Sequence, residues 1–106
     1  MAFGIGTNNM QKTDAGPIKG KQKEIACQCW FTSKGEVKPI MLKVQDEDGE
    51  IRTIHQIKVR SKEEKIYAGV PSIEFDCYIT ILEQQIRVWL IFYKEENRWV
   101  LVFRNE

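Results

Sequence analysis

Residues 73–81 read IEFDCYITI, and the overlapping stretch 78–87 reads YITILEQQIR. On propensity alone the second could pass for a short helix. The first could not. Ile73, Phe75, Cys77, Ile79 and Ile81 recur at every second position, which is the period of a strand with one buried face and not the 3.6 of a helix. Residues 86–93 (IRVWLIFY) then continue the same alternation, with Ile86, Val88, Leu90 and Phe92 on one side. The pair reads as two strands about a connection at LEQQ, and that reading makes the chain all-β.

Four further runs rich in β-branched and aromatic residues extend the pattern in both directions: 25–31 (IACQCWF), 38–45 (KPIMLKVQ), 51–60 (IRTIHQIKVR) and 98–103 (RWVLVF). Short separators divide most of them. DEDGE places a glycine where a hairpin needs a positive φ. Residues 61–72 form the longest connection, and SKEEK at 61–65 predicts a helical turn ended by Gly69 and Pro71. Short connections favour antiparallel neighbours. The expected fold is about six antiparallel strands in meander order, closed into a small barrel or a barrel-like sandwich. It occupies a single β domain over 25–106, behind a flexible basic arm over 1–24 that carries KGKQK.

The bulk properties bound function without choosing one. The chain has 106 residues, 42% hydrophobic and 29% charged, with a net charge of +1. That suits one soluble domain, and the charge selects no partner. The longest apolar run is far shorter than the roughly 20 residues a membrane helix needs, so no membrane partner is expected. The first residues lack the pattern of a signal peptide. Three cysteines, an odd number, argue against a disulfide framework. A cytoplasmic setting with reduced thiols is the expectation.

Those cysteines and the only histidine are the chain's one candidate metal set. On the alternation above, Cys27, Cys29, His55 and Cys77 all point inward. Zinc takes four such ligands in a tetrahedron. Yet Cys27 and Cys29 lie about 6.6 Å apart along an extended strand, and their spacing is not that of a zinc knuckle. The reading preferred from sequence is a core strand, with His55 partly buried and hydrogen-bonded. No inward carboxylate or amide is placed to orient a Cys–His pair, and no nucleotide, hydrolase or metalloprotease motif is present. Asp46 to Glu50 lacks the length of a calcium loop. The chain is expected to be non-enzymatic and to need no cofactor.

Charge segregates along the chain. The runs hold Lys38, Lys43, Arg52, Lys58, Arg60, Arg87 and Arg98 against only Glu74 and Asp76, while acids collect in the turns. Trp30, Tyr78, Trp89 and Tyr93 fall on the same outward side as the basic residues. Ile91 joins them by the alternation of 86–93, and Ile54 does so if 51–60 is one strand with Ile51, Thr53, His55, Ile57 and Val59 inward. The expected surface is Trp30, Arg52, Ile54, Lys58, Arg60, Tyr78, Arg87, Trp89 and Tyr93. An apolar outer set of this kind fits contact with another protein or a second copy of the chain. Aromatics between cations also fit single-stranded nucleic acid, where bases stack on rings and cations follow phosphates.

Overall fold

A computed structural model describes residues 21–104, and all of their regular structure is strand. There are seven strands: β1 (Lys21–Phe31), β2 (Val37–Gln45), β3 (Ile51–Ile54), β4 (Ile57–Tyr67), β5 (Val70–Ile81), β6 (Gln84–Tyr93) and β7 (Arg98–Phe103). They form one sheet in the order β3-β2-β1-β7-β6-β5-β4, with every neighbouring pair antiparallel. Among the described residues no helix is long and apolar enough to cross a membrane. Residues 1–20 of the expected arm lie outside the described residues. Its last four, 21–24, are strand and pair with β7 from Lys21↔Phe103 onward.

Three expectations are corrected. The order is not a simple meander, because β1 sits between β2 and β7 and joins the β1–β3 and β4–β7 meanders. Run 51–60 is two strands, parted at His55 and Gln56. β3 pairs with β2 and β4 pairs with β5, so the chain passes from one end of the sheet order to the other within two residues. The faces shift at that link. Ile54 is only 3% exposed, in the main core, while Ile51, Thr53 and His55 are exposed, the reverse of the expected assignment. A one-residue change of phase sends every side chain of a strand to its other face.

The third correction concerns residues 61–72. SKEEK does not form a helical turn; it continues β4, paired through Lys65↔Ser72 to Tyr67↔Val70. The hairpin then closes in two residues, Ala68 at φ 49 and Gly69 at φ 84. Positive φ at both central positions is the turn that matches strand twist. Charged side chains on an edge strand are tolerated because one face stays in water, and they discourage edge-to-edge association.

Two apolar clusters hold the sheet. The larger contains Leu42, Ile54, Phe75, Ile79, Leu90 and Trp99, with Cys27, Cys29, Ile73 and Ile86 packed against it. Phe75, Phe92 and Trp99 stack within it, at centroid separations of 5.7 and 4.8 Å. The inward alternation expected for 73–81 and 86–93 is what builds it. The smaller cluster lies on the opposite side chains of β6 and β7: Ile91, Tyr93, Val100 and Val102, with Tyr67. β7 is therefore buried on both faces, as its unbroken apolar sequence requires. The sheet curls without closing: no ladder joins β3 to β4 among the described residues.

Candidate binding surfaces

The metal set does not assemble. Cys77 is fully buried, and Cys27 and Cys29 are half-buried against the main core. His55 is exposed in the β3–β4 link instead of partly buried and hydrogen-bonded. Among the described residues no group of three or more His, Cys, Asp or Glu is placed to hold a metal. Two of the thiols are also held protonated. Burial, with the neighbouring Cys29 adding to it, pushes Cys27 up to about 12. Burial and the charge of Asp76 push Cys77 up to about 12 as well. The thiolate, the form that attacks electrophiles, is suppressed at neutral pH. Asp46 is also committed: its carboxylate accepts from the backbone of Asp48 and Glu50 and from Arg52 Nε, each at 2.9 Å. The Glu50 amide above all holds its carboxyl below the usual range.

The structure does not bring the expected basic–aromatic surface together as one patch. Ile54 is in the core, and Tyr93 is buried in the second cluster, with Trp89 packed on it. Trp30 lies 65% exposed at the far end of β1, beside an equally exposed Phe31. The cross-strand pairs Asp76↔Trp89 and Tyr78↔Arg87 build a ladder on the outer face of β5 and β6. Arg60 and Arg87 lie 5.8 and 5.9 Å from the Tyr78 ring centroid. Arg104 lies 4.4 Å from Trp89, and Arg98 lies 4.4 Å from Tyr93. Asp76 joins Arg87 and Arg104, each at 2.9 Å, and the Arg87 contact above all holds its carboxyl low. The rings of Tyr78, Trp89 and Tyr93 are thus met by the chain's own guanidiniums, three of which (Arg87, Arg98 and Arg104) are already paired with carboxylates. Arg52 is likewise paired with Asp46, whereas Lys58 stands exposed.

Next along the same face of β5 is a buried carboxylate, Glu74. Glu74 accepts from the Tyr67 hydroxyl and pairs with Lys65 Nζ at 3.2 Å. Burial first, and then the adjacent carboxylate, raises the Tyr67 phenol. A buried anion with a hydroxyl and a cation on it is satisfied.

A further surface comes from an irregularity the sequence reading missed. In β2 the register passes from Gln28↔Met41 to Cys29↔Pro39, so Ile40 is an extra residue in a bulge. Proline has no amide to give a ladder, which is why it sits at bulges and edges. Among the described residues β3 covers only 42–45 of β2, which leaves 37–41 paired on one side alone. Among the same residues β4 is paired only with β5. Between these two open edges runs a groove of about 410 Å³. Phe75 forms its floor, Val37, Pro39 and Ile40 one wall, and Ile57 and Val59 the other, with Lys38, Lys62 and Glu36 at the rim. Ile40 and Val59 are each 41% exposed there. The lone proline inside an otherwise regular run was the one signal in the sequence that could have found it.

No protein-family model, curated protein or solved structure matches this chain.

Proposed function

We propose that the chain is a non-enzymatic binding module for other proteins, and that the groove between β2 and β4 is its contact surface. The observation that carries this is the conjunction of an apolar floor with two strand edges that have no ladder partner among the described residues. Such edges supply main-chain hydrogen bonds to an incoming strand, while pockets between them select side chains. The volume is also that of ordinary binding clefts, about 300–1,000 Å³. Suppressed thiolates and the dispersal of His55 from the cysteines favour binding over catalysis.

The alternative, single-stranded nucleic acid on the outer face, draws less support, because Tyr78, Trp89 and Tyr93 are already covered by arginines. Selection of the full chain against a displayed library of random peptides tests the reading, with oligonucleotide titration in parallel. Enriched peptides whose binding is abolished by Val59→Glu, and retained in Trp30→Ala, support it. An empty selection, or salt-dependent oligonucleotide binding lost in Trp89→Ala, refutes it.

A further inference from the structure

We infer that the occupant of the groove is an extended peptide segment that adds as a strand along the open edges and carries acidic residues beside an apolar anchor. The inference rests on the protein-binding reading and adds the conformation and charge of the partner. It starts from the course of the chain. In the β2–β3 ladder Leu42 faces Ile54, and Val44 faces Arg52. Continued in the same antiparallel register, Ile57 would come opposite Pro39, and Val59 opposite Val37. The ladder instead stops at Ile54, and β4 turns to β5 with Ile57↔Ile79 and Val59↔Cys77. The proline and the bulge at Ile40 account for the stop on the β2 side, since one lacks a donor and the other breaks the spacing of the ladder. The groove is therefore an interrupted ladder: its walls are backbone edges in strand conformation, with the regular hydrogen-bonding edge on β4 and the bulged one on β2, and an extended segment matches them where a helix would not.

The side chains specify the rest. Val37, Ile57 and Phe75 offer an apolar seat for every second residue of such a segment, the spacing at which a strand presents one face. Lys38 and Lys62 stand at the rim, and neither takes part in an ion pair among the described residues. Glu36 is the one rim carboxylate. Two rim cations against one rim anion favour an acidic partner and raise its rate of encounter. A basic segment, including another chain's KGKQK, would meet these lysines with like charge.

The experiment uses the full chain and the peptides most enriched from the random library. Their sequences should show alternating apolar residues with Glu or Asp beside them. Binding of an acidic peptide should protect amides within 37–41 and 57–62 from hydrogen exchange. Lys38→Glu combined with Lys62→Glu should weaken it by about tenfold at low salt, an effect that fades as salt screens the pairs. A Lys-substituted version of the same peptide should show the opposite preference. Enriched peptides that are basic, that bind as helices, or that protect other amides would overturn the inference and leave the protein-binding reading standing. A concentration-dependent dimer that protects the same amides without peptide would overturn it in favour of a second copy. An empty selection removes the underlying reading as well.

Discussion

The turn between β5 and β6 offers the sharpest test of the stretch on which the fold depends. Ile81 pairs with Gln84, so the hairpin closes through Leu82 and Glu83 alone. Both have positive φ, 50 for Leu82 and 66 for Glu83. Left-handed backbone costs about 1–2 kcal/mol for a residue with an ordinary side chain, and Asn-Gly is the pair best suited to this turn. Leu82 is 75% exposed, so its replacement gives up little packing. Replacing Leu82 with Asn and Glu83 with Gly relieves roughly 2–3 kcal/mol of backbone strain. The greater freedom of glycine in the unfolded chain takes back about 0.5–1 kcal/mol. The net gain is about 1.5 kcal/mol, a rise in Tm of roughly 6–12 °C for a domain of this size. Were 78–87 a helix, the same double substitution would lower stability by about 1–1.5 kcal/mol through propensity alone. Urea and thermal denaturation followed by circular dichroism read the sign directly. A fall in midpoint, or a helical spectrum, would refute the hairpin and the face assignments of β5 and β6 with it.

Other expectations follow from particular contacts. Gly69→Ala meets nothing within 4 Å but must hold φ +84, so its loss in a denaturant melt should be strain alone, about 1 kcal/mol. Tyr67→Phe leaves Glu74 buried with one donor fewer and should cost about 1–3 kcal/mol in the same assay. Asp76 has its carboxyl held low by Arg87 and Arg104. Its contribution is therefore full above the unfolded value of about 4 and is lost as pH falls through the folded one. The acid limb of a stability–pH curve should be shallower in Asp76→Asn, and an unchanged limb would count against the ladder. At pH 8 alkylation should reach half-exposed Cys29 well before Cys77, and a chelator should leave Tm unmoved; the reverse order, or a chelator effect, would reopen the metal reading.

Much of the strand content was legible because alternation is a local property. Residues 73–81 and 86–93 each carry enough inward apolar side chains to declare both period and face, and Asp48-Gly49 announced its hairpin. Where the pattern was thin, locality failed. SKEEK has neither alternation nor apolar weight, and it became strand because β5 lies beside it to receive its hydrogen bonds. In 51–60 the sequence alternates almost without a break, so nothing local marks His55 and Gln56 as a change of partner. The candidate surface failed for a related reason. Outward Ile91 and Tyr93 looked exposed because a face was equated with solvent, and they are buried.

By itself the sequence determined that the chain is β, where most strands run, and which side chains of β5 and β6 enter the core. Periodicity and turn chemistry act over a few residues and survive in any arrangement of the strands. Only the tertiary structure decided that β1 lies against β7, that arginines cover Tyr78 and Trp89, and that an open groove separates β2 from β4. Those features depend on contacts between residues far apart along the chain. Their energies exist only once the sheet has curled, so no short stretch of sequence carries their signature.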